Sequence, residues 1–161
     1  MWRISFVRDG EMKTKTFFME TTKIEPSQTV GELQRILGQY GASAIRMDYE
    51  DGEVFALSFT VIVNGEHVPF RLPCRWEKIY EQLQTRRKRK PYKRNEEAQA
   101  RRIAWRQIFR WVQAQLALVD TEMVKLPEVF MSYLIVDKGQ TLYEKIESQS
   151  WQFQLEYTKK N

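Results

Sequence analysis

Seven of the nine residues from Arg86 to Arg94 are cationic: Arg86, Arg87, Lys88, Arg89, Lys90, Lys93 and Arg94, with Pro91 and Tyr92 between them. Closely spaced guanidinium and ammonium groups suit the neutralisation of a phosphate backbone, because each contacted phosphate releases counterions and arginine can meet it with two donors. Tyr92 adds a ring on which an exposed base could stack. Further on, Arg102, Arg106 and Arg110 recur every four residues and so share one side of a helix. The expected partner is nucleic acid, DNA or RNA, with these residues as the binding set. An acidic protein surface is the competing partner, and a solvated loop whose helical arginines pair with surface carboxylates is the bland alternative. No helix-turn-helix pattern, zinc-finger spacing or aromatic RNA-binding motif accompanies the run.

The other reactive side chains are sparse. His67 and Cys74 are each the single residue of their type, whereas triads and zinc sites need several ligands converging. Cys74, between Pro73 and Arg75, reads as a partly buried small hydrophobe. Asp48, Glu50, Asp51 and Glu53 cluster around Asp51-Gly52, a place where acidic residues are common because they favour turns. A metal-dependent nuclease built on them is a minor alternative. With no phosphate-cradling glycine loop and no dinucleotide fingerprint, the expectation is a non-enzymatic protein with no cofactor, catalytic residue or metal site.

Charge sharpens this reading. The chain of 161 residues carries +5, yet positions 85–110 hold eleven basic and two acidic residues, so that +9 there leaves −4 over the other 135. Hydrophobic residues at 42% and aromatic residues at 13% describe a folded chain of one domain rather than a disordered one. The longest uncharged apolar stretch, Val129 to Val136, is far short of the roughly 20 residues that cross a bilayer. Charges interrupt the first ten residues where a secretion signal needs an apolar run, and one cysteine permits no internal disulfide. A cytoplasmic protein with no membrane contact is expected.

The elements that must position the basic residues follow from period and turn chemistry. Trp2 to Val7 and Met12 to Phe18 read as a hairpin turning at Asp9-Gly10, a possible accessory extension over 1–18 that could also carry self-association into a homo-oligomer. Thr29 and Glu32 match a capping box ahead of Val30, Leu33, Ile36, Leu37 and Tyr40 at helical spacing, with Gly38 and Gly41 marking the end. A three-stranded meander spans 44–73, turning at Asp51-Gly52 and Asn64-Gly65, with Pro69 marking its third strand as an edge. A short helix runs from Trp76 to about Gln84, and residues 85–94 form a basic exposed loop. The longest helix occupies about 95–119, capped by Asn95, with Trp105, Ile108, Val112, Leu116 and Val119 in a stripe about 80° wide and the arginines on its other side. A short helix from Pro127, a turn at Lys138-Gly139, a helix begun by Thr141 and Glu144, and a strand from Trp151 to Tyr157 complete the chain. The fold class is α+β, an antiparallel sheet packed against helices.

The segments Arg102-Ile103-Ala104-Trp105-Arg106, Val112 to Ala117, Pro127-Glu128-Val129-Phe130 and Val68-Pro69-Phe70-Arg71-Leu72-Pro73 resemble a group of small phage and prophage proteins that carry no assigned function. Thr22-Lys23-Ile24 and Leu57-Ser58-Phe59 are similar as well, so the likeness covers most of 19–145 and omits the first hairpin. It implies a protein made inside a bacterial host, with replication, recombination or the countering of host defence as its expected duties. It transfers no residue role. Under the competing reading, the basic face would inhibit a host defence or replication enzyme by docking on an acidic or nucleic-acid-binding surface.

Overall fold

Two dipeptides shape the sheet. Asp51 and Gly52 adopt φ of 49° and 80°, and Asn64 and Gly65 adopt 52° and 85°, the left-handed pair whose twist matches the strands of a two-residue hairpin. They join β1 (Ala42–Glu50), β2 (Glu53–Val63) and β3 (Glu66–Pro73) into an antiparallel sheet with β2 in the middle. Pro69 lies on an edge strand, as its missing N–H requires. The computed structural model describes residues 16–86 and 93–149, the side chains of 93–95 excepted. Residues 1–15 of the hairpin expected over 1–18, the segment 87–92 and the strand expected over 151–157 lie outside the described residues.

Alternation along the strands gives the sheet one apolar face, with Ile45 across from Phe59 and Phe59 across from Phe70. Phe59, Phe70, Leu57 and Leu72 are fully buried there, and the rings of Phe59 and Phe70 stack with centroids 5.2 Å apart. The opposite face carries Arg46, Asp48, Ser58, Thr60 and Arg71. β2 bulges at Phe55, the extra residue between the Asp48–Ala56 and Tyr49–Val54 pairs. The bulge leaves the Val54 carbonyl within 3.1 Å of the Trp105 indole Nε1, which donates to it.

Helix α1 (Pro26–Gln39) starts one turn before the expected capping box. Pro26 occupies the first helical turn, where its fixed φ is pre-set and its missing N–H costs no hydrogen bond. Thr29 is therefore inside the helix, buried with its hydroxyl unpartnered, and Glu32 does not cap. Val30, Leu33 and Leu37 are buried as their spacing implied, and Gly41, with φ 87°, follows the helix end.

α2 (Trp76–Arg86) and α3 (Lys93–Asp120) are both longer than periodicity indicated. Arg86, Lys93 and Arg94 consequently belong to helices rather than to a loop over 85–94, and Asn95 sits in the first turn of α3 rather than capping it. Leu83 of α2 packs against Ala100 and Ile103 of α3 in a small separate cluster. The other side of α3 presents Trp105, Val112 and Leu116 to the main core.

The chain then crosses back through α4 (Leu126–Phe130), a 3-10 turn (Met131–Tyr133), β4 (Ile135–Asp137), β5 (Gln140–Thr141) and α5 (Leu142–Ser148). Phe130 is wholly buried, edge-on to both Phe59 and Trp111 at 5.3 Å. The expected turn at Lys138-Gly139 forms, with φ of 44° and 81°. Its flanks pair as a short two-stranded ladder that periodicity had not marked. Thr141 and Glu144 make the reciprocal capping box that opens α5, at 3.2 and 2.9 Å. Residues 16–18, the end of the expected second hairpin strand, are not strand. The Phe17 N–H instead donates to the Glu20 carboxylate, and Met19 turns the chain at φ 65°.

Candidate nucleic-acid interface

The basic run connects the C-terminal end of α2 to the N-terminal end of α3, two helices held side by side by the Leu83, Ala100 and Ile103 contacts and by a hydrogen bond from the Gln84 amide to the Glu96 carboxylate. Of the run, Arg86 ends α2, and Lys93 and Arg94 open α3. The N-terminal end of α3 carries the positive pole of that helix's dipole, so the fixed charges of Lys93 and Arg94 and the backbone field have the same sign. Glu96 is the acidic residue of that first turn, and it is buried. Arg86 lies with its guanidinium 3.9 Å above the Phe17 ring. Arg87, Lys88, Arg89, Lys90 and Tyr92, and the side chains of Lys93 and Arg94, lie outside the described residues.

Most of the helical arginines do something else. The expectation that they line an outer face is corrected by the position of α3, which has α2, α1 and the core of the sheet packed around its middle, so that Ile103, Ala104, Trp105 and Arg106 are buried in succession. A cation in such a place must be paired. Arg106, 6% exposed, donates to Glu32 Oε2 at 2.7 Å, and its guanidinium lies 4.5 Å over the Phe109 ring. One of its donors, Nε, has no partner. Arg102 reaches Glu25 Oε1 at 2.6 Å from Nη2 and 2.8 Å from Nε. Arg101 stacks on Trp76 at 3.9 Å. Of the expected stripe, Arg110 is the exposed member, donating to Gln113 at 3.0 Å.

Periodicity read for charge alone missed the glutamines that complete this seam. Gln99 donates to the carbonyls of Glu20 and Thr22 at 2.8 and 2.9 Å, and Gln107 to that of Phe18 at 2.8 Å. Positions 99, 102, 106 and 107 follow the i, i+3, i+7, i+8 pattern of one helix face. They form a polar stripe that straps the segment before α1, and α1 itself, to α3. Glu25 and Glu32, seven residues apart, were the complementary signal in the sequence.

Asp48 is held by Arg46 at 2.8 Å and by Arg71 at 3.5 Å, which leaves its carboxylate committed to cations of its own sheet. Among the described residues no group of three or more His, Cys, Asp or Glu is placed to hold a metal ion. His67 is exposed on β3. Cys74 is buried, and burial, with the Glu77 carboxylate second, pushes its thiol up to about 12, against opposing contributions from the Trp76 backbone and Arg101. Among the described residues no helix is long and apolar enough to cross a membrane. No protein-family model matches the chain, and no curated protein or solved structure matches it.

Proposed function

We propose that this protein binds DNA or RNA without catalysing a reaction on it, through phosphate contacts made by the cationic end of the α2–α3 pair. The observation that carries the reading is the density of seven cations in nine residues at a helix junction whose packing is supplied by Leu83, Ala100 and Ile103. A cation density of this kind is the electrostatic footprint that a polyanion rewards. Arg87, Lys88, Arg89, Lys90, Lys93 and Arg94 supply the footprint, with Tyr92 as the stacking ring. Arg86 and Arg110 extend it, and Arg102 and Arg106 contribute by fixing α3 against α1. The same reading puts the protein in the cytoplasm of a bacterial host, as a phage or prophage product.

The test is a salt titration of binding to single-stranded and duplex DNA and RNA. Each phosphate neutralised contributes about 0.9 to the log–log salt slope on a duplex and about 0.7 on a single strand. Replacing Arg87, Lys88, Arg89 and Lys90 together by Gln should flatten the slope and weaken binding to all sequences alike. Undiminished low-salt binding by that variant would defeat the reading. One stoichiometric protein partner recovered after nuclease treatment, with no measurable nucleic-acid affinity, would move the basic face to an acidic protein surface.

A further inference from the structure

β1 is an edge of the three-stranded sheet. Among the described residues its outer side has no strand pairing, whereas β3 receives Leu134 opposite Phe70 on its own outer side. The register fixes which backbone groups β1 turns outward. Pro69 has no N–H, so its pair with Thr60 is a non-hydrogen-bonded one, and the neighbouring Phe59–Phe70 and Leu57–Leu72 pairs are hydrogen-bonded. Phe59 and Leu57 therefore spend their N–H and C=O on β3. Their partners on β1, Ile45 and Met47, direct theirs away from the sheet. Beyond the bulge the same holds for Tyr49, because Glu50–Glu53 is the closing pair of a two-residue hairpin and Tyr49–Val54 comes next. The second irregularity, at Ser43, ends the regular edge at its other end. What remains is a seven-residue edge, 44–50, with Met47 at its centre.

We propose that this edge pairs with the same edge of a second copy, antiparallel about a two-fold axis at Met47. In that register the outward groups of Met47 meet those of the partner's Met47, and Ile45 meets the partner's Tyr49. Arg46 then lies across from the partner's Asp48, twice, in the non-hydrogen-bonded positions where side chains approach most closely. Charge selects this register over its neighbours: a shift of two residues either way sets Arg46 against Arg46 or Asp48 against Asp48 on the axis. The pairing also gives cover to Tyr49, a large side chain left 58% exposed, against the β-branched Ile45. Arg46, whose side chain is 77% exposed and pairs within the chain with Asp48 at 2.8 Å, joins a ring of four alternating charges. An interface of this kind is isologous and closes on itself.

Light scattering coupled to size exclusion over a concentration series tests it on the full chain. The wild type should rise from 19.4 kDa toward twice that mass. Arg46→Asp and Asp48→Arg should each stay at the monomer mass, because each faces like with like across the axis. An equimolar mixture of the two variants should recover the doubled mass, since the edge of one copy then carries two carboxylates and the edge of the other two guanidinium groups, so that every cross-axis pair is of opposite charge. Met47→Pro, which removes an outward N–H and no internal hydrogen bond, should also abolish the doubling, with circular dichroism reporting an intact fold. A wild type that stays at 19.4 kDa throughout would overturn the proposal. So would single charge reversals that dimerise as well as wild type, or a mixture that stays monomeric.

Discussion

Arg106 and Glu32, 74 positions apart in the chain, meet at 2.7 Å where α3 crosses α1, the arginine nearly enclosed and the glutamate about a quarter exposed. The pair turns what looks like a cationic stripe into an internal fastening. It also gives Glu32, which matches a helix cap by spacing, a different task.

Removing one member of such a pair strands the other. Arg106→Ala should cost about 3–5 kcal/mol of unfolding free energy, toward the lower figure because Glu32 reaches water. Arg106→Met combined with Glu32→Leu should lie within about 1 kcal/mol of the wild type or above it, since an apolar pair of similar volume carries no desolvation penalty. Urea denaturation of the two variants checks this. The half-buried Arg102, whose partner Glu25 is exposed, offers a contrast: Arg102→Gln should cost no more than about 1 kcal/mol.

Trp105 is completely buried and is the donor to the Val54 carbonyl. Trp105→Phe keeps an aromatic ring but leaves that carbonyl unpaired at the bulge, a loss of about 1–3 kcal/mol. Thermal unfolding of the variant measures it, and an unchanged midpoint would mean that another donor reaches the carbonyl.

The Cys74 thiol ionises near 9 in an unfolded chain and is pushed up to about 12 in the fold. The folded state therefore keeps a proton that the unfolded state releases. This contribution is intact below pH 9 and is lost as pH climbs toward 12, by up to about 1.4 kcal/mol per pH unit. Cys74→Ala should show a shallower decline in stability between pH 9 and 11 than the wild type, read from urea midpoints at each pH.

Asn64 holds φ at 52° in the β2–β3 turn. Asn64→Ala forces a side chain without a local hydrogen bond into the left-handed region and should cost about 1–2 kcal/mol. Asn64→Gly should stay within about 1 kcal/mol of the wild type, because glycine adopts that conformation freely. Equilibrium denaturation of the two variants separates turn geometry from any loss of side-chain contact.

If the cationic end of the α2–α3 pair carries binding, folded variants of Arg102 should keep the wild-type salt slope, whereas Arg110→Gln should reduce it by less than about 1. Equal losses at both positions would place the polyanion along the whole of α3.

Elements governed by local rules were legible in the sequence. Asp51-Gly52 and Asn64-Gly65 demanded tight turns because few residues other than Asn, Asp and Gly tolerate φ > 0 there. Alternation then fixed which face of β2 carries Leu57, Phe59 and Val61, and Thr141 with Glu144 announced α5. Signals with two local readings were decided elsewhere. Thr29 with Glu32 satisfied the spacing of a cap, but Pro26 had already started the helix. The strands flanking Lys138-Gly139 were too short to leave a period.

Of the candidate interface, the sequence by itself determined the concentration of charge between Arg86 and Arg94, because composition needs no third dimension. Only the tertiary structure decided which arginines of α3 are available. Arg102, Arg106 and Arg110 are equivalent by spacing, yet Glu25 and Glu32 engage the first two and the third is left exposed. A helix's periodicity shows which residues share a side. What meets that side depends on contacts between segments far apart in the chain, and a buried guanidinium is stable only where such a contact supplies its carboxylate.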